Sequence, residues 1–204
     1  WKMGINGINR DADFANDEYT HDRWKKFNIE LKPWKRNGKN IIICGQHDSS
    51  EQWKGLPQMN TWLLDQVSQI KKITDKKIII RPHPRNPISI KMAGVDTQLP
   101  KRDINTYDDT DFTKQLDDAF AVVNHSSNPA MQAVFNGVPV FTSESSLSYD
   151  VANKDYKNLN TPETPDREEW AHKLCHTEWW IEEIKEGIPW QRIREQLQKK
   201  YLKN

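Results

Sequence analysis

Along this chain the apolar residues gather into short runs separated by polar stretches. Ile41, Ile42, Ile43 and Cys44 stand in succession within 40–44, and Ile78, Ile79 and Ile80 within 77–81. Unbroken apolar runs of this length mark strands covered on both faces, as in a parallel sheet. Residues 119–124 and 138–141 predict two further strands of the same kind. Between the runs the period changes. Trp62, Leu63, Val67 and Ile70 recur at helical spacing over 59–72. A short helix is predicted over 111–118, carrying Phe112, Gln115 and Leu116. Another is predicted over 129–136, opened by Pro129 and stopped by Gly137. The C-terminal part predicts three helices, over 166–175, 178–186 and 189–202. Asp166 with Glu169 has the form of a capping box, and Trp190, Ile193, Leu197 and Tyr201 fall on one face of the last helix. Strands alternating with helices predict an α/β, Rossmann-like parallel sheet flanked by helices, with right-handed crossovers and a helical C-terminal tail. Ligands of such sheets bind beyond the C-terminal ends of the strands. The residues that follow each strand are therefore the candidates for chemistry.

Composition sets bounds on this picture. A chain of 204 residues holds one α/β domain plus attached segments. Residues 1–38 are irregular and read as a lead-in or linker from a missing N-terminal domain. Residues 39–165 read as the Rossmann-like domain, and 166–204 as helices packing on it or on its partner domain. The net charge of +1 argues against bulk electrostatic binding of nucleic acid, so any anion site must be local. The two cysteines, Cys44 and Cys175, form no C-x-x-C pair, which argues against a disulfide framework or a zinc site. No apolar run approaches the ~20 residues that span a bilayer, and a cytoplasmic protein is expected. Nine tryptophans are more than so small a core can hold, which places some of them at a surface or interface. The basic C-terminal end, with Arg192, Arg194, Lys199 and Lys200, reads as a solvated helix face, with peripheral membrane contact as the alternative.

Chemistry concentrates after the strands. The second runs into Arg81-Pro82-His83-Pro84-Arg85. Two prolines stiffen this turn and aim His83 between two guanidinium groups, an arrangement suited to a phosphate. A rigid solvated surface turn is the plainer alternative. The third strand runs into Asn124-His125-Ser126-Ser127-Asn128-Pro129. Ser127 or Asn128 can cap the following helix, and the helix start with its two serine hydroxyls offers donors to an anion. Simple capping would explain one such residue, not all. Gln132 in that helix could bond a ribose or base. Gln46 follows the first strand after Gly45, and Ser143 lies in the hydroxyl-rich loop after the fourth, placed to touch a donor sugar.

A strand into R-P-H-P, followed later by Ser126-Ser127, a helix and the Gly137-Val138-Pro139-Val140 segment, resembles the "HP" and "SS" motifs of bacterial sialyltransferases and capsule polysaccharide (Kdo) transferases. The resemblance covers roughly residues 40–150. It implies the C-terminal, donor-binding half of a two-domain GT-B fold and a metal-independent glycosyltransferase without cofactor. It implies a nucleotide-activated donor, CMP-linked, and a glycan or other hydroxyl acceptor. By the same resemblance His83 would contact the donor phosphate and assist the leaving group. Ser126 and Ser127 would bind that phosphate or the ribose, and the catalytic base would lie in the missing N-terminal domain. The chain departs from the pattern at Gln132, where related domains carry an acidic residue. Two other readings stand beside this one. The first is a glycerophosphotransferase-type polymerase domain using a CDP-linked donor. The second is a non-catalytic interaction module derived from a transferase.

Overall fold

A computed structural model describes residues 1–16, 20–99, 112–200 and 202. The chain divides into two compact units. One is the continuous stretch Glu30–Pro165; the other combines Trp1–Ile29 with Asp166–Asn204.

The first unit is built on a five-stranded, wholly parallel sheet. Its strands are β1 (Asn40–Cys44), β2 (Lys77–Arg81), β3 (Val95–Thr97), β4 (Ala119–Val123) and β5 (Val140–Phe141), in the order β3-β2-β1-β4-β5. The isoleucine runs form its centre. Ile41, Ile42 and Ile43 of β1 lie in register with Ile78, Ile79 and Ile80 of β2 on one side, and with Ala121, Val122 and Val123 of β4 on the other. Successive residues of a strand point to opposite faces. On one face Ile41, Ile43, Ile78, Ile80 and Val123 join the core with Met59, Leu63, Val67 and Ile70 of helix α2 (Met59–Lys71). Each of these side chains is almost completely buried, worth roughly 1.5–3 kcal/mol apiece. Helix α4 (Pro129–Phe135) packs on β4 and β5 through Ala130, Met131, Ala133 and Val134.

The stretch before β1 is laid along β4 and α4. Lys32 N–H donates to Phe135 O, Lys35 N–H to Gly137 O and Lys39 N–H to Asp118 O. Gly137, at φ 73°, makes this close approach feasible: a Cβ there would stand 2.0 Å from Pro33 O.

In the second unit, helix α1 (Asp22–Phe27) accompanies α5 (Glu168–Leu174), α6 (Ile181–Lys185) and α7 (Ile188–Lys200). Its centre is Arg23, which is buried. The guanidinium donates to Cys175 O (2.7 Å) and Glu178 O, forms a bidentate pair with Glu183 (2.6 and 2.8 Å), and lies 4.3 Å from the Trp179 ring centre. No helix among the described residues is long and apolar enough to cross a membrane.

Several sequence expectations change. Four strands were expected and a fifth is present: β3 is the Val-Asp-Thr edge segment, with too few apolar residues to form a run. β5 begins at Val140, because Val138 N–H still donates to Ala133 O and continues the helix end. Neither Ser127 nor Asn128 caps α4 with its side chain; Asn128 holds the cap position in helical geometry. The Asp166–Glu169 capping box does not form. α5 starts at Glu168, whose N–H donates to Asp166 Oδ1 at 3.0 Å. The buried face of α7 is Pro189, Ile193 and Gln196, while Trp190 is 61% exposed. The helix expected over 111–118 is seen as α3 (Phe112–Gln115) followed by a 3-10 turn. Asp111 and Tyr201 lie outside the described residues.

Candidate functional site

The strand order places a topological switch at the centre of the sheet. From β1 the chain moves outward through β2 to β3, then returns to the other side of β1 for β4 and β5. Connections leaving β1 and β4 therefore diverge, and a crevice opens between the C-terminal ends of these two strands. Gln46 follows β1 and Ser126 follows β4, and they meet across that crevice. Gln46 Nε2 lies 3.1 Å from Ser126 Oγ, and Gln46 Oε1 accepts the Ser126 N–H at 3.1 Å. The Gln46 side chain is buried.

His83 arrives from the end of β2, next to His47 from the end of β1. Their ring centres are 5.6 Å apart, edge to face. In each ring Nδ1 accepts a backbone N–H, from Arg85 for His83 and from Ser49 for His47, both at 3.1 Å. A backbone N–H can only donate, so the proton of each neutral ring sits on Nε2. Burial, then the Arg85 charge, then His47 hold the His83 pKa below its ordinary value. His83 is therefore a neutral hydrogen-bond donor near pH 7. Asn86 ties the loops together: its Nδ2 donates to Asp48 Oδ2 (2.8 Å) and lies 3.3 Å from Gln46 O, while its N–H donates to His83 O (2.8 Å). Asp48 Oδ1 in turn accepts the first N–H of α2, from Met59, at 2.6 Å. Gly45 packs on this turn, where an added Cβ would meet Pro82 Cα at 3.5 Å.

The remaining expected residues divide into two groups. Arg81 lies with its guanidinium 5.1 Å from the Phe112 ring centre, and Pro84 and Arg85 form the turn whose backbone orients His83. Ser127 is held by Asn124, whose Nδ2 donates to Ser127 O (2.7 Å) and reaches its Oγ (3.1 Å). Asn128 O accepts the Gln132 N–H, and the Gln132 side chain is exposed on α4.

His125 and Ser143 belong to a cavity of about 340 Å³ beyond the ends of β4 and β5. Ser143 Oγ donates to His125 O (3.0 Å), and Ser145 Oγ lies 3.3 Å from His125 Nε2. Burial holds the His125 pKa below its ordinary value. Trp62 and Gln66 of α2 also line this cavity, as do Asn124, Thr142 and the segment 153–156. Tyr156 donates its hydroxyl to Gln66 Oε1 at 2.5 Å. Sequence reasoning missed Asn86, Asp48, Asn124 and Tyr156. Asn124 ends the third apolar run and could have been noticed there; Tyr156 stands in a polar stretch without periodicity.

No protein-family model matches the sequence, and no curated protein matches it. Among solved structures, two transferase structures of KpsC from Thermosulfurimonas dismutans are similar in part. The β-Kdo 2,4 transferase has 10% identity and a TM-score of 0.45, with 77% of this chain and 51% of that chain covered. The β-Kdo 2,7 transferase has 16% identity and a TM-score of 0.44, with 77% and 50% covered. A protein titled as a UDP-N-acetylglucosamine 2-epimerase, from Listeria monocytogenes, has 13% identity and a TM-score of 0.36, with 79% and 43% covered. The chain spans about half the length of the first two. The fold class rests on the chain's own parallel sheet and strand order.

Proposed function

We propose that residues 30–165 bind a nucleotide-activated sugar, CMP-linked, and serve its transfer to a hydroxyl acceptor. One observation carries this reading. Gln46, His83 and Ser126 come from the ends of three different strands and converge on the switch crevice, two of them bonded directly across it. Their chemistry fits a phosphate ester. His83 and His47 each present an Nε2–H, and Ser126 adds a hydroxyl and a backbone N–H. All are donors, set by local hydrogen bonds before a ligand arrives. In this state Gln46 Oε1 occupies the Ser126 N–H, and an incoming phosphate oxygen would take its place.

Transfer then follows as direct displacement. The acceptor oxygen bonds to the anomeric carbon as the bond from that carbon to the phosphate oxygen breaks, and the departing phosphate keeps the electron pair. His83 Nε2–H and the Ser126 donors stabilise the charge that grows on it. The proton of the acceptor passes to a base that the motif resemblance places in a separate N-terminal domain. The glycosyl donor, the acceptor and that second domain all belong to this proposal.

The test is calorimetric titration of the chain with CMP, CDP and UDP, beside His83→Ala and Ser126→Ala. Binding of CMP, weakened about tenfold or more by either change (about 1.4 kcal/mol), is the expected result. Preference for CDP would favour the glycerophosphotransferase reading. No nucleotide binding by the folded chain would replace the proposal with an interaction module.

A further inference from the structure

The cavity beyond β4 and β5 stands beside the switch crevice, with His125 in its wall and Ser126 in the crevice as neighbours in sequence. Its chemistry is different. Two buried oxygens of its lining residues, Asn124 Oδ1 and Thr142 Oγ1, have no hydrogen-bond partner. Asn124 is only 3% exposed, and its amide nitrogen is spent on Ser127. A buried, unsatisfied carbonyl oxygen costs about 1–3 kcal/mol, so native chains seldom keep one without a reason. An amide oxygen can only accept. What completes it must bring an O–H or N–H, which rules out a phosphate or carboxylate at that point.

The rest of the wall narrows the choice. Trp62, Phe141 and Tyr156 supply aromatic surface, while Gln66, Gln69, Ser143 and Asn153 add amides and hydroxyls. The two charged lining residues, Lys154 and Asp155, are both exposed and opposite in sign, so the site is close to neutral. At about 340 Å³ the cavity stands at the low end for small-molecule pockets, which fits a single substituted ring. A pyrimidine edge offers few hydrogen-bonding atoms, whereas a pyranose carries several hydroxyls, each both donor and acceptor. We propose that this cavity is the subsite for the sugar ring of the donor, with a ring hydroxyl donating to Asn124 Oδ1 and another paired with Thr142 Oγ1. This rests on the donor-binding reading above and adds the place where the transferred group sits.

The decisive variant is Thr142→Val. It keeps the side-chain shape and removes a hydroxyl that is unpaired in the free chain, so the free chain should melt at the same temperature or higher. CMP-N-acetylneuraminic acid and UDP-N-acetylglucosamine serve as sugar nucleotides, each compared with its bare nucleotide by calorimetry. The expected result is at least a fivefold loss for whichever sugar nucleotide the parent binds, with the matching bare nucleotide unchanged within twofold. In nitrogen-15 correlation spectra of the parent, the Trp62 indole N–H should shift with the sugar nucleotide and not with the bare one. Equal loss for the bare nucleotide would show that the cavity takes the nucleoside, and would overturn the proposal. So would unchanged affinity for the sugar nucleotide with a silent Trp62. In both cases nucleotide binding that depends on His83 leaves the donor-binding reading standing. A parent that binds none of the four compounds overturns both.

Discussion

Replacing Gln46 with glutamate should separate folding from phosphate binding at the crevice. The Gln46 amide bridges to Ser126 by two contacts of 3.1 Å, one of them accepting the Ser126 N–H. In Gln46→Glu a carboxylate oxygen can accept the same N–H, and the Ser126 hydroxyl can turn to donate to the other oxygen. Burying the charge in a residue only 7% exposed should cost about 1–2 kcal/mol of stability, partly offset by these stronger charge-assisted bonds. The effect on the ligand is larger. A phosphate held by Ser126 would lie about 5 Å from the new carboxylate, and at an effective dielectric of about 20 the repulsion is about 3 kcal/mol. That corresponds to roughly two decades in affinity. The carboxylate also holds the Ser126 N–H more tightly, which adds to the loss. The assay is CMP titration beside a thermal melt, with Gln46→Met as an uncharged control expected to lose less affinity. A folded Gln46→Glu chain that binds CMP within threefold of the parent would refute the placement of the phosphate at Ser126.

Two further outcomes concern stability. The pKa values of His83, His125 and His176 are all held down, in each case first by burial. Above the ordinary value of 6.5 folded and unfolded chains both carry these rings neutral. As pH falls below it the unfolded chain takes up protons first, so stability should decline from pH 6.5 downward; a melting temperature unchanged between pH 7.5 and 5.5 would contradict this. Arg23→Met leaves the Glu183 carboxylate, whose pKa is lowered chiefly by its bond to Arg23, without its partner in the second unit. The expected loss is about 3–5 kcal/mol, partly recovered in Arg23→Met/Glu183→Leu, and denaturant curves showing a loss below about 1 kcal/mol for the single change would sink that account.

What the sequence reveals of this protein follows from where burial is apolar. β1, β2 and β4 sit inside the sheet with both faces covered, so each appears as an unbroken apolar run. β3 lies at the edge and pairs on one side only, and three residues with Asp96 in the middle carry no such signature. The phase of α7 is hidden for a related reason. Its buried stripe includes Gln196, which donates to Asp13, so a polar residue occupies the place where the pattern expects an apolar one. Trp190 then looks like the start of the stripe although it faces solvent. The cavity is the extreme case. Asn153 reaches it because its backbone N–H donates to Val140 O and its side-chain oxygen accepts from Glu163 N–H. Hydrogen bonds placed that segment, and hydrogen bonds leave no periodicity in a sequence. Gln46, His83 and Ser126 were legible because strand ends can be located from the runs that precede them.

The residues that converge on the crevice also say how such a site would discriminate. An anion trap built on charge would hold its guanidinium groups over the ligand, and the motif Arg81-Pro82-His83-Pro84-Arg85 invites that expectation. The geometry distributes the work otherwise. Arg81 lies against the Phe112 ring, and the Arg85 backbone N–H, not its guanidinium, makes the contact that fixes His83. The Arg85 charge contributes by keeping His83 neutral, so that Nε2 offers a directed hydrogen bond. Directed neutral donors select by position and hand the ligand on into a second, acceptor-rich cavity; a diffuse positive field would hold any anion equally well. With a net charge of +1 the chain has little such field to offer, and selectivity must come from the distance and direction of a few bonds. The coupling of a donor-lined crevice to a cavity with two unfilled acceptors is what a phosphate joined to a hydroxyl-bearing ring requires.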